Sequence, residues 1–154
     1  MIRYAETGDI PALTRLLLQV AEVHHRARPD IFKSGKKYSE QDLAALLSDA
    51  SRPILVFTDE ADTVRGYAFC VLECYKDDIL RADCKTLYID DLCVDETVRG
   101  QGIGRALYAA VLQLARELEC YNVTLNVWSA NESAVRFYES LGLRAQKIGM
   151  EVIL

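Results

Sequence analysis

Between Leu87 and Leu107 the chain reads Leu-Tyr-Ile-Asp-Asp-Leu-Cys-Val-Asp-Glu-Thr-Val-Arg-Gly-Gln-Gly-Ile-Gly-Arg-Ala-Leu. The stretch from Leu87 to Val94 has the composition of a strand and empties into a turn carrying three alternate glycines, Gly100, Gly102 and Gly104. A helical stripe then starts at once, with apolar residues at Ile103, Leu107, Val111, Leu114 and Leu118. A strand that feeds a helix through so short a turn predicts a crossover unit, in which the chain returns as a parallel strand. The glycines let the backbone approach a ligand and take conformations that a side chain would forbid. The helix start offers unpaired N–H donors at the positive end of a dipole, an arrangement suited to phosphate.

Two familiar phosphate loops do not fit. A P-loop needs Lys-Ser/Thr after its last glycine, and here Arg105-Ala106 follow Gly104. A dinucleotide fingerprint needs Gly or Ala three residues beyond its second glycine, where this chain has Arg105 or Leu107 depending on the frame. What remains is Arg99-x-x-Gly102-x-Gly104 behind the strand Asp90-Asp91-Leu92-Cys93-Val94. This resembles the acetyl-CoA signature of the GNAT superfamily of N-acetyltransferases. Downstream, Asn131-Glu132-Ser133-Ala134-Val135-Arg136-Phe137-Tyr138-Glu139-Ser140-Leu141-Gly142-Leu143 resembles the second motif of the same family. The resemblance runs loosely over the whole chain.

The fold class read from the order of elements is mixed α/β. Strands are predicted over 1–5, 54–58, 64–75, 87–94, 123–128 and 144–154. Helices are predicted from Thr7-Gly8-Asp9 to the Arg28-Pro29-Asp30 break, from Ser39 to about Ser48, from Ile103 to Leu118, and from Asn131 to Gly142. The resemblance implies the GNAT acyl-CoA N-acyltransferase fold: a central, mostly antiparallel sheet flanked by helices, whose parallel fourth and fifth strands splay to admit the pantetheine arm. The family commonly ends in two strands, whereas a short tail follows Leu143 here. Such a curtailed hairpin would leave the acceptor side more open, or closed by a partner subunit.

The 154 residues suit a single domain, 1–154, with one substantial core. No apolar run is long enough to span a bilayer, and the first residues lack a signal peptide's apolar core, so the expected location is cytoplasmic and off the membrane. The five cysteines have no CxxC spacing and read as reduced thiols, with no metal site. A net charge of -5 disfavours nucleic acid as a partner. Homodimerisation is compatible with the sequence but not written in it.

The resemblance implies acetyl-CoA as co-substrate and direct attack by a primary amine in a ternary complex. The coenzyme diphosphate would lie on the loop Arg99, Gly100, Gln101, Gly102, Ile103, Gly104 and Arg105. Backbone amides of Leu92, Cys93 and Val94 would meet the thioester, where a preorganised donor is worth roughly 2.7–4 kcal/mol. Neutralising a lysine-like amine at pH 7 costs about 4.6 kcal/mol, so a proton acceptor is needed. Asp90 matches by position the acid that some members use; Asp91, one residue on, is expected on the opposite face of the strand. Water or His24 or His25 are the other candidates. Tyr138 matches the tyrosine that returns a proton to the departing thiolate. Asn131 is expected to cap its helix and touch the coenzyme arm, while Trp128 either flanks the cleft or packs in the core.

A rival reading is a non-catalytic acyl-CoA sensor or regulatory domain, and a third is a nucleotide-binding regulator. The acceptor, a small molecule or a peptide amine, stays open. Asp77, Asp78, Asp83, Asp90 and Asp91 would suit a polyamine or aminoglycoside. The basic stretch from Arg26 to Lys37 would suit an acceptor bearing a carboxylate, such as an amino acid or a protein terminus.

Overall fold

The computed structural model describes residues 1–154. Its centre is a five-stranded sheet ordered β1-β2-β3-β4-β5, comprising β1 (Ile2–Tyr4), β2 (Ile54–Thr58), β3 (Val64–Tyr75), β4 (Cys84–Val94) and β5 (Asn122–Leu125). β1 to β4 are antiparallel neighbours, whereas β5 lies parallel to β4. That parallel step is the crossover predicted from the glycine turn, made by the long helix between the two strands. The helices are α1 (Ile10–Ala27), α2 (Glu40–Leu47), α3 (Ile103–Glu117) and α4 (Glu132–Ser140).

Strand alternation divides the apolar residues between two faces. Ile54, Val56, Tyr67 and Phe69 point to one side, where Leu13, Leu16 and Leu17 of α1 and Leu43 of α2 cover them. Leu55, Ala68, Cys70, Leu87 and Ile89 point to the other, under Val111 and Leu114 of α3. Each fully buried leucine contributes about 1.5–3 kcal/mol of transfer free energy. Helix starts are fixed locally. Ser39 and Asp42 form a reciprocal capping box for α2. Asp9 accepts from the Glu6 amide and takes a two-pronged pair from Arg3, at 2.7 and 3.0 Å, before Pro11 opens α1.

The register along β4 is interrupted opposite the Phe69–Cys70 step of β3. Ile89 faces Cys70 and Asp91 faces Phe69, so Asp90 is an extra residue, a β-bulge. An extra residue reverses the alternation downstream. Leu87 and Ile89 lie in the α3-side core, but Cys93, an even number of positions away, lies in the α1-side core. The expectation that Asp90 and Asp91 face opposite sides is therefore corrected: Asp90 meets Tyr38 and Asp91 meets Tyr67, both on the α1–α2 side.

Two other expectations need correction. β5 ends at Leu125 instead of Trp128, so its ladder with β4 stops at the Ile89–Leu125 pair. The predicted last strand over 144–154 does not form. No residue from Arg144 to Leu154 makes a backbone hydrogen bond, because no neighbouring strand lies beside it. No helix is long and apolar enough to cross a membrane.

Candidate active site

Past Ile89 the β5-side edge of β4 has no ladder partner, and the strands part there. The opening is bounded by Asp90 to Val94 on β4, by the loop to α3, by α4, and by the end of α1.

Asp95 forms the hinge between β4 and the glycine loop. It is 1% exposed. One carboxylate oxygen accepts from Arg15 at 2.7 Å; the other accepts from the Thr97 amide and hydroxyl at 3.1 and 2.9 Å. Its own amide is tied to the Arg65 carbonyl. Burial alone would raise its carboxyl, but Arg15 and Thr97 overcome that and hold it at about 2. A short 3-10 turn, Glu96–Val98, follows, capped by this same side chain.

The loop beyond it has an unusual hydrogen-bond account. None of the seven amides from Arg99 to Arg105 donates to a protein acceptor; the ladder resumes with Ala106 donating to the Gly102 carbonyl. Gly100 and Gly102 have φ of 80° and 81°, left-handed backbone that a side chain would strain. Gly102 takes the cap position of α3 with no side chain to satisfy the first turn. Unpaired amides at the start of a 15-residue helix are what an anionic ligand needs. The two arginines differ. Arg105 is bonded to Ser140 Oγ at 3.0 Å, whereas Arg99, exposed, holds the Val94 carbonyl only through Nε at 3.3 Å. Ile103 is buried, so it offers its amide alone.

Gly104 joins this loop to α4. A Cβ there would stand 3.1 Å from Phe137 Cζ, so the first turn of α3 touches the helix that carries Tyr138. Phe137 packs edge-on against Tyr138 with ring centroids 5.2 Å apart. The Tyr138 hydroxyl has no protein partner, and burial, followed by the nearby Asp91 and Cys93, pushes it up to about 12. Asn131 caps α4, accepting from the Ala134 amide at 3.3 Å and from Ser133 Oγ at 3.1 Å.

On β4 the bulge carries two carboxylates in different circumstances. Asp90 Oδ2 accepts from Lys37 Nζ at 2.9 Å and from Tyr38 at 3.3 Å. Asp91 accepts from the Tyr67 hydroxyl at 3.0 Å and has no ion-pair partner within 4 Å. Burial raises the Asp91 carboxyl above the ordinary aspartate range, although Lys37 and the Tyr67 hydroxyl pull the other way. Leu92 and Val94 are half-buried. Cys93 is buried with Sγ directed to the Leu16 carbonyl, and burial pushes its thiol up to about 12, which disqualifies it as an acyl carrier.

An aromatic rim closes the far side. His24 stacks on Phe32, Phe32 meets Trp128 edge-on at 5.2 Å, and Arg28 lies 5.9 Å over the Trp128 ring. Trp128, 40% exposed, is therefore not core. Within the basic stretch Arg26 pairs with Glu22, Arg28 with Asp30 and Glu151, and Lys37 with Asp90, whereas Lys33 and Lys36 have no ion-pair partner. The acids at the β3–β4 tip are also occupied, since Asp78 accepts from the Leu80 and Arg81 amides and Asp83 from Asp77.

Sequence reasoning missed Asp95, Tyr38 and Tyr67, and it assigned Lys37 to an acceptor's carboxylate, whereas Lys37 pairs with Asp90 of the chain itself. Asp95-Glu96-Thr97 does carry a capping pattern, and a tyrosine inside the apolar run Gly66-Tyr67-Ala68 implies a buried hydroxyl seeking a partner.

The profile of the Acetyltransferase (GNAT) family matches residues 17–143. A glucosamine 6-phosphate N-acetyltransferase of Trypanosoma brucei brucei is 37% identical over 67 residues, covering 44% of each chain. The match to a probable glucosamine 6-phosphate N-acetyltransferase of Drosophila melanogaster covers 35% of this chain and 23% of that protein. The chain thus spans less than half the length of these two relatives. A bovine thialysine N-epsilon-acetyltransferase is 26% identical over 153 residues, with 92% of this chain and 82% of that protein covered. Among solved structures, a tetramutant of the BH1408 protein from Bacillus halodurans superposes with a TM-score of 0.96 at 37% identity, covering 100% of this chain and 99% of that one.

Proposed function

Because this chain belongs to the acetyltransferase (GNAT) family, we propose that it moves the acetyl group of acetyl-CoA onto a primary amine by direct attack in a ternary complex. The observation that carries this reading is the run of seven unpartnered amides, Arg99 to Arg105, where β4 parts from β5. They are suited to the coenzyme diphosphate, with Arg99 as the available cation. The open edge of β4 at Leu92, Cys93 and Val94 suits the acyl arm, and Asn131 stands at the start of α4 to meet it.

In the reaction, the amine nitrogen forms a bond to the thioester carbon as it gives up a proton, and the carbon–sulfur bond breaks. Tyr138, its hydroxyl protonated at neutral pH, delivers its own proton to the leaving sulfur and is reprotonated from solvent. The amine's proton goes to the bulge. Asp90 is engaged by Lys37 and Tyr38, so it orients the acceptor side of the cleft. Asp91, with no cation bound and a raised carboxyl, is the better matched proton acceptor, directly or through water.

The same balance of charge bears on the acceptor. Arg28 and Lys37 are neutralised within the chain, while Asp91 is a carboxylate left without a cation. A lysine-like cationic amine, the class named for the thialysine enzyme, therefore fits better than a phosphate-bearing sugar amine. The test is thiol release from acetyl-CoA with purified protein and a panel holding thialysine, lysine, a polyamine, an aminoglycoside and glucosamine 6-phosphate. Turnover with the cationic amines supports the reading. Coenzyme binding without turnover on any amine would make the protein a sensor instead.

A further inference from the structure

One amine of the chain itself already stands on the acceptor side of the cleft. Lys37 Nζ donates to Asp90 Oδ2 at 2.9 Å and lies 5.2 Å from the centroid of the Tyr38 ring. Asp90 is the bulge residue of β4, next to Asp91 and two residues before Leu92, on the stretch of strand edge that β5 leaves open. Burial alone would lower the Lys37 ammonium, but the bond to Asp90, followed by the charges of Asp90 and Asp91, holds it above the ordinary lysine range. A lysine held in this way is a poor target for acetyl-CoA in bulk, because uncatalysed acylation needs the neutral amine. Lys33 and Lys36, exposed and without ion-pair partners, are the better chemical targets.

We propose that Lys37 is a self-acetylation site, an amine of the chain that takes the acetyl group of acetyl-CoA in its own cleft when no external amine fills it. This rests on the acetyl-transfer reading. An ammonium bonded to Asp90 and laid against an aromatic ring is what a lysine-like acceptor would present there. The flexible four-carbon stem lets Nζ swing from Asp90 toward the Leu92–Val94 edge. In the step, the ammonium gives one proton to Asp91, directly or through water, and the nitrogen lone pair forms a bond to the thioester carbon. The carbon–sulfur bond breaks and the sulfur takes the Tyr138 proton. A second proton leaves the nitrogen for solvent, from which Tyr138 is reprotonated. Once Asp91 has released its own proton, the products are acetylated Lys37, the coenzyme A thiol and one net proton. Acetylation removes the charge of Lys37, so Asp90 loses its cation and is left for an external ammonium.

The test uses full-length protein, first treated with a lysine deacetylase and repurified, then incubated with isotope-labelled acetyl-CoA and no amine. Peptide mapping by mass spectrometry follows each lysine. The expected result is labelling of Lys37 about tenfold or more faster than of Lys33 or Lys36, at a first-order rate constant that does not change when the protein is diluted. Tyr138→Phe should slow the labelling of Lys37 by the factor by which it slows amine turnover, and leave Lys33 and Lys36 as they were. Labelling of Lys37 no faster than of its two neighbours, unaffected by Tyr138→Phe, or falling in rate constant on dilution overturns the proposal. Turnover of an external amine with Lys37 unlabelled also overturns it, and leaves the acetyl-transfer reading standing. No thiol release with or without an amine removes both. Should Tyr138→Phe fail to fold, the wild-type rate ratio and its response to dilution decide alone.

Discussion

Replacing Asp95 with Asn keeps the shape of the side chain and removes its charge. Asp95 is buried, and the fall of its carboxyl to about 2 corresponds to roughly 2.5 kcal/mol of folding stability at neutral pH. Arg15 is partly exposed, so solvent screening lowers the figure to about 1.5–2.5 kcal/mol. The folded value lies below the unfolded one. The contribution is therefore complete above the ordinary aspartate range and disappears as the pH drops through about 2. At about pH 3 roughly half should remain. Urea unfolding of wild type and Asp95→Asn at pH 7 and pH 3 reads both quantities. Because Asp95 also fixes the turn leading to the glycine loop, coenzyme A should bind the variant several-fold more weakly at pH 7, under conditions where it is still folded. If the two proteins differ by less than about 0.5 kcal/mol at pH 7, or by the same amount at both pH values, the charge is not what holds this hinge.

Three further outcomes follow from the site. Tyr138→Phe should lower kcat by about 100-fold or more while leaving the coenzyme dissociation constant within about two-fold; a wild-type kcat would remove the tyrosine from the chemistry. The acid limb of kcat should lie above the ordinary aspartate range and vanish in Asp91→Asn. Lys37 lowers the Asp91 carboxyl, so Lys37→Met should move that limb to higher pH, and an unmoved limb would point to another base. Gly104→Ala places a methyl 3.1 Å from Phe137 and should cost about 1–3 kcal/mol in urea unfolding, with weaker coenzyme binding; equal stability would mean α3 and α4 are not locked at that contact.

Much of this fold can be read in the chain because local rules and packing agree. Ser39 with Asp42, the stripe Leu13-Leu16-Leu17, and the turn Asp59-Glu60-Ala61-Asp62 each specify their element without help from afar. The exceptions share a cause. The bulge at Asp90 depends on register with β3, which no period in β4 reveals. Lys37 and Asp90 are 53 positions apart, and Arg15 and Asp95 are 80 apart, so only the assembled sheet and helices bring them together. The 144–154 segment has a strand's alternation but pairs with no strand of the sheet. Alternation encodes a face and is silent about the neighbour that must cover it.

The most direct measurement is of the backbone amides themselves. Acetyl-CoA titrated into ¹⁵N-labelled protein should shift the resonances of Gly100, Gly102, Gly104 and their neighbours first and furthest, whereas acetyl-pantetheine, which has no diphosphate, should leave the loop nearly still and move the β4 edge. Saturating shifts elsewhere with the Arg99–Arg105 amides unmoved, or no response to the coenzyme at all, would contradict the assignment of this loop to a diphosphate.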